Sequence, residues 1–250
     1  QDKIKSQMRK IAVFVLGLIL IACANDTSSP KKEVDKPVKV NQRNTKGERD
    51  GLFVSKTPDG KFRTQINYKN GKKHGEALDY YDSGKLRARI NYKNGIKDGK
   101  AIWYFDDDNI FRINTYKDDL KNGLQQKFYK NGNKLSELEF HNEYPGVGLK
   151  EWKENGDERN LGNYIKVYKK GAYLYAELSS GQSSVQFYYG ELVDGKFLNN
   201  KLRDISGENG VAQMPKKQIE NLDNIVISAR YQTYLQNDRV TTTTVKWSEL

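Results

Sequence analysis

Cysteine occurs once in this 250-residue chain, histidine twice and proline five times. A single thiol excludes an internal disulfide framework and a cysteine-built zinc site. His74 and His141 alone leave little for imidazole chemistry. No Walker loop, dinucleotide fingerprint or metal-binding histidine pair is present. Long apolar runs are missing too: the uncharged stretch at residues 11–22 is shorter than the roughly 20 residues a membrane-spanning helix needs. Hydrophobic residues make up only 36%, too few for one large aliphatic core. Aromatics nevertheless reach 11%, with 16 Tyr, which is too many rings for a disordered chain.

What is abundant is positive charge, 43 Lys and Arg against 32 Asp and Glu, a formal +11. Taken alone that excess suggests nucleic acid as a partner. Divided along the chain it falls to +3 over residues 1–22, +3 over 23–46, +4 over 47–156 and +1 over 157–250. No segment that folds carries a basic face implied by composition, so nucleic acid is not the expected partner.

The N-terminal segment reads as an address. Met8-Arg9-Lys10 precedes the uncharged stretch, which ends at the only cysteine, and this is the layout of a secretory signal peptide. Leu20-Ile21-Ala22-Cys23 resembles the bacterial lipobox. The resemblance implies removal of residues 1–22, an upstream extension plus a lipoprotein signal peptide, and attachment of lipid at Cys23. Several acyl chains, each contributing about 0.8 kcal/mol per buried methylene, give stable attachment without a transmembrane helix. The protein is therefore expected to be exported and lipid-anchored to the bacterial cell envelope. The outer membrane is favoured because Asp is absent beside Cys23. Residues 23–46, polar and Lys-rich, read as the lipidated cysteine and a flexible tether.

From residue 47 the sequence repeats. Gly51, Gly75, Gly99 and Gly123 stand 24 residues apart, and Gly47, Gly71 and Gly95 keep the same spacing. Tyr68, Tyr92, Tyr116 and Phe140 follow the first set, as do Tyr80, Tyr104 and Phe128, and then Gly60, Gly84, Asp108 and Gly132. A degraded fifth copy, slipped by one residue, runs from Gly148 through Trp152 to Gly156, so the array covers residues 47–156. Each unit holds two clusters of turn residues separated by alternating apolar and polar positions, such as Leu86, Ala88, Ile90 and Tyr92 against Arg87, Arg89 and Asn91. Asn-Gly recurs at 70–71, 94–95, 122–123, 131–132 and 155–156, a dipeptide suited to tight hairpin turns. Each unit therefore predicts one β-hairpin.

The pattern Gly75, Tyr80-Tyr81, Gly84, Leu86, Tyr92, Asn94-Gly95, Gly99 resembles the bacterial variant of the MORN repeat, as found in YwqK-family antitoxins. Copy two departs at Asp106-Asp107-Asp108-Asn109, copy three by an inserted residue at Asn133. The resemblance implies an all-β fold, an elongated antiparallel sheet of hairpins with aromatics in register down one face. It also implies that Gly51, Gly75, Gly99, Gly123 and the repeated aromatics serve structure. Strands about 4.8 Å apart would extend four or five hairpins roughly 40 to 50 Å.

Residues 157–250 break the period and predict a small β-rich C-terminal domain, a sandwich or barrel with strands near 164–168, 172–178, 185–189, 225–235 and 240–247. Residues 194–215 read as turns and 215–221 as a short helix. This domain is also placed to cap the end of the repeat sheet. The Asp106–Asp108 run lacks the glycine and bidentate Glu of an EF-hand loop. Glu137 and Glu139 share one strand rather than flanking a cleft, as a glycosidase pair would. His74 and His141 fall in turns. The sequence thus predicts a non-enzymatic protein without catalytic, metal or cofactor residues. Its MORN-like repeats would form a protein-interaction or binding scaffold, with a protein or an envelope glycan as partner. Two alternatives stand beside it: an antitoxin or immunity protein of a toxin-antitoxin system, and a carbohydrate-binding or hydrolytic C-terminal domain.

Overall fold

The computed structural model describes residues 39–250; the signal segment, Cys23 and residues 24–38 lie outside the described residues. Among the described residues no helix is long and apolar enough to cross a membrane.

Antiparallel strands dominate. The repeat sheet contains β1 (Gly51–Lys56), β2 (Phe62–Lys69), β3 (Lys72–Tyr80), β4 (Leu86–Lys93), β5 (Ile96–Tyr104) and β6 (Ile110–Lys117), followed by β7 (Leu120–Lys121), β8 (Gly123–Phe128), β9 (Lys134–His141), β10 (Tyr144–Pro145) and β11 (Lys150–Glu151). Its order follows the chain from β1 to β6, then β8, β9 and β10; β7 pairs with β6 and β11 with β9.

Two turn types alternate. Between units the turns are Asn70-Gly71, Asn94-Gly95, Asp118-Asp119 and Asn142-Glu143, with positive φ at both residues, the two-residue geometry whose twist matches paired strands. Within units the turns close by one repeated pair of bonds: the N–H of residues 57, 81, 105, 129 and 153 reaches the carbonyl four residues on, at 2.8 or 2.9 Å. Gly60, Gly84, Asp108, Gly132 and Gly156 occupy the same left-handed position in each.

That regularity corrects two sequence readings. Phe128 pairs with Lys134 as Tyr80 pairs with Leu86, so Asn133 is not an insertion; Lys134 simply replaces the usual Leu. The fifth intra-unit turn also keeps the 24-residue register, and the slip lies before it, near Val147 and Gly148.

The aromatics do not share one face. Tyr80 lies five residues after Gly75 on β3, and Gly75 pairs with Tyr92. An odd separation along a strand reverses the face, so Tyr80, Tyr104 and Phe128 point opposite to Tyr92, Tyr116 and Phe140. Phe62 packs on Tyr80 at 5.9 Å between centroids.

The free edge of β1 is closed by residues the sequence assigns to the tether. The Asn41 amide imitates a strand, accepting from Val54 N–H at 2.8 Å and donating to Val54 C=O at 3.3 Å. Residues 44–48 then turn, with Asn44 Oδ1 accepting from Lys46 and Glu48 N–H, both at 3.0 Å. An unpaired edge would expose a row of donors and acceptors, and these contacts cover part of it.

The C-terminal region is a β-sandwich of two four-stranded sheets. One has order β12 (Ile165–Lys170), β13 (Tyr173–Leu178), β17 (Val211–Pro215), β16 (Gly207–Glu208); the other has β15 (Arg203–Ile205), β14 (Gln186–Tyr189), β18 (Ile225–Gln232), β19 (Asp238–Val245). Their inner faces meet in one buried cluster including Leu174, Leu178, Met214, Phe187, Ile225 and Ile227. Residues 194–215, expected to be turns, contribute three short strands because Ile205, Ala212 and Met214 reach this core. The short helix is a single 3-10 turn, Lys216–Gln218.

The sandwich grips the last repeats on both faces. On one, Asn237 Oδ1 accepts from Lys127 Nζ at 2.7 Å and Ser136 Oγ at 3.2 Å, and its amide donates to Glu151 at 2.6 Å. On the other, Lys196 meets Glu139 at 2.5 Å and Phe197 packs on His141 at 5.5 Å. His141 is therefore a junction residue as well as a turn neighbour.

Candidate binding surface

The repeated glycines place the feature that most resembles a site. Gly51, Gly75, Gly99 and Gly123 all take positive φ, from 83° to 109°. Each lies opposite an aromatic residue on the following strand: Tyr68, Tyr92, Tyr116 and Phe140. Two residues before each glycine stands a cation, Arg49, Lys73, Lys97 or Lys121. Its charged head sits over that ring, at 5.2, 4.8, 4.9 and 4.7 Å from the centroid. Tyr68, Tyr92 and Tyr116 are in turn the cross-strand partners of Lys73, Lys97 and Lys121. The result is one alternating series, Arg49-Tyr68-Lys73-Tyr92-Lys97-Tyr116-Lys121-Phe140, running across the sheet.

Backbone bonds hold the cations in place. The carbonyls of Arg49, Lys73, Lys97 and Lys121 accept from the N–H of Gly71, Gly95, Asp119 and Glu143, at 2.8 to 3.0 Å. At the bulges, Asn67 and Asn91 amides reach Glu76 and Lys100 carbonyls at 2.9 Å, and Thr115 Oγ1 reaches Leu124 at 3.4 Å. Each cation–ring contact contributes about 0.5 to 1 kcal/mol at such partly exposed positions.

The ladder changes character along its length. Arg49 is exposed and Tyr68, Lys73, Tyr92 and Lys97 are half-buried, whereas Tyr116 is 9% and Phe140 4% exposed where the sandwich approaches. Lys121 pairs with Glu143 at 3.1 Å. Among the described residues Lys73 and Lys97 have no carboxylate within 4.0 Å, so their charges are available to a partner. Beside them the same face carries Phe53, Ile66, Ala77, Ile90 and Ala101, cross-strand neighbours in one row. Further along it, Arg112 lies over Trp103 at 4.2 Å. An apolar strip bordered by regularly spaced cations suits an extended partner with acidic groups.

The opposite face is balanced by acids. Arg89 meets Glu76 at 3.2 Å, and Lys134 meets Glu137 at 2.6 Å. Burial alone would raise the Glu137 carboxyl, but hydrogen bonds from Lys134 and Gln126 outweigh it and hold it below its ordinary value. Glu137 and Glu139 thus each have a basic partner, Glu139 through Lys196. His74 Nδ1 accepts from Asn94 N–H at 3.5 Å. Asp106 and Asp107 face Lys130, and Asp108 faces Lys85. Among the described residues no group of three or more His, Cys, Asp or Glu side chains is placed to hold a metal ion.

The structure thus brings Tyr68, Tyr92, Tyr116 and Phe140 together with Gly51, Gly75, Gly99 and Gly123, and leaves Tyr80, Tyr104 and Phe128 on the other face. Arg49, Lys73, Lys97 and Lys121 were missing from the sequence reading, although their 24-residue spacing was available there. The MORN repeat variant matches residues 73–94, 97–118 and 121–142. Each matched unit begins on a ladder cation. No curated protein matches the chain. Three consecutive repeats of this kind suggest a repeat-based binding scaffold.

Proposed function

We propose that the protein is a non-enzymatic binding scaffold, exported and lipid-anchored through Cys23 to the bacterial cell envelope, most naturally the outer membrane. Its ladder face engages a protein or an envelope glycan, not nucleic acid. The observation that carries this reading is the continuous cation–aromatic series from Arg49 to Phe140, with Lys73 and Lys97 lacking acidic partners. The anchor rests on Leu20-Ile21-Ala22-Cys23. An immunity role uses the same surface with a toxin as its occupant, and co-purification with a neighbouring toxic protein would assign it.

Metabolic palmitate labelling tests the anchor: label is expected on the wild type and lost in Cys23→Ser, and label retained in that variant contradicts it. For the scaffold, Lys73→Ala with Lys97→Ala should abolish partner retention from envelope extract while leaving the Tm nearly unchanged. Retention at the wild-type level in a folded double variant would overturn the ladder as the binding surface.

A further inference from the structure

Five buried side-chain polar atoms make no hydrogen bond among the described residues. Two of them, the Tyr231 hydroxyl and Arg159 Nε, belong to residues lining a single cleft of about 240 Å³. A buried donor or acceptor left unpaired costs about 1 to 3 kcal/mol, so two in one cavity call for a ligand that satisfies both.

The cleft lies where the last repeat strand meets the sandwich, and its wall includes Glu151, Arg159, Asn163, Tyr231, Tyr234 and Arg239. Arg239 stacks its guanidinium over the Tyr231 ring at 5.7 Å and donates to the Leu161 and Asn163 carbonyls. Among the described residues neither Arg159 nor Arg239 has a carboxylate within 4.0 Å. Glu151, the acid in the wall, is engaged elsewhere: it accepts from Thr233 at 2.5 Å and Asn237 at 2.6 Å, with Lys127 on the far side of Asn237. Two guanidinium charges therefore face the cavity without compensation.

Tyr231 is 4% exposed, and burial pushes its hydroxyl up, against the opposing pull of Arg239 and the nearby Asn163 side chain, so it stays a protonated donor. Asn163 approaches that hydroxyl without meeting hydrogen-bond geometry. At the rim Tyr234 is 90% exposed, an aromatic ring with no packing role. Amides of Asn160, Gln182 and Gln232 complete the lining.

We propose that this cleft binds a hexuronate-type acidic sugar. Its carboxylate would meet Arg159, Arg239 and the Tyr231 hydroxyl, its hydroxyls the lining amides, and its ring face Tyr234. A simple carboxylate would satisfy the cations but not use the amide lining or the exposed ring, and a neutral sugar would leave the two charges unmet. The inference is independent of the ladder face, because it concerns a different surface.

Calorimetry on the full chain with glucuronate, glucose, acetate and inorganic phosphate decides it. Glucuronate should bind at least about tenfold more tightly than the other three, the scale of one charge-assisted hydrogen bond. Tyr234→Ala and Tyr231→Phe should each weaken glucuronate by about five- to tenfold. Neither should lower the Tm, because neither side-chain group has a partner to lose. No heat with glucuronate, equal affinity for acetate or phosphate, or unchanged glucuronate affinity in folded Tyr234→Ala would each overturn the proposal.

Discussion

The repeat sheet and the sandwich reach stability by different routes. In the sandwich Ile225, Ile227 and Ala229 are fully buried and Leu174, Leu178 and Met214 nearly so, all in one cluster drawn from both sheets. In the first three hairpins only small or polar-tipped residues are buried, Ala88, Ala101, Asn114 and Tyr116. Those hairpins rely instead on contacts that recur every 24 residues: turn-to-turn backbone bonds, cation–ring contacts, and bonds such as Tyr81 Oη to the Tyr104 carbonyl at 2.7 Å and Tyr129 Oη to the Trp152 carbonyl at 2.8 Å. A sheet built this way leaves a broad face unburied. The sandwich has spent its apolar surface on itself, and what it offers a ligand is a polar cleft.

The largest expected effect is in the sandwich. Ile227→Ala should cost about 2 to 5 kcal/mol, because a fully buried side chain leaves a cavity. Hydrogen exchange resolved by region should show faster exchange in β18 and β19, with the first hairpins little changed. Equal loss in both regions would mean that they unfold as one unit.

Next is the junction. Asn237→Ala removes the shared partner of Lys127, Ser136 and Glu151 and should cost about 1 to 3 kcal/mol. Burial, with Arg112 nearby, already pulls the Lys127 ammonium below its ordinary value, so this site has little surplus to absorb the loss. Thermal unfolding of the variant should separate repeat and sandwich transitions that overlap in the wild type.

In the repeats, Gly75→Ala should cost about 1 to 2 kcal/mol through backbone strain at φ 83°. Space is not the cause, since an added Cβ would meet only Asn67 Cβ at 3.9 Å. Chemical denaturation should register the loss, and a neutral result would show that the bulge tolerates another backbone conformation.

The smallest effect is electrostatic. The Glu137 carboxyl lies below its ordinary 4.5 in the folded protein, so its contribution is fully present above that value. It disappears as pH falls through the lower native value. The Tm difference between wild type and Glu137→Gln should therefore shrink from pH 7 to pH 3, and a difference that grew on acidification would reverse the assignment.

The same contrast explains what could be read from sequence. Hairpins were legible because Gly75, Tyr80, Gly84 and Tyr92 sit in environments that recur, so position in the period reports the contact. Face assignment failed for Tyr80 and Tyr104 because it depends on counting residues through a bulge, not on spacing alone. Asn133 looked inserted because Leu135 was matched to Leu86, whereas backbone pairing matches Lys134. The end of the tether was hidden since Asn41 caps β1 through its side chain, without any apolar pattern. In the sandwich, strands near 225 and 240 were visible from β-branched runs. The cleft was not, because Glu151 and Asn237 are 86 residues apart and only the folded chain brings them to 2.6 Å.

The central claim is that the ladder face, not its reverse, receives the partner. Site-specific photo-crosslinking in intact envelopes tests it directly, with the probe at Ile90 on the ladder face or at Ile102 on the other. The account predicts an adduct from Ile90 that disappears when Lys73 and Lys97 are both replaced by Ala, and none from Ile102. An adduct from Ile102 alone, or one from Ile90 indifferent to the two lysines, would contradict it.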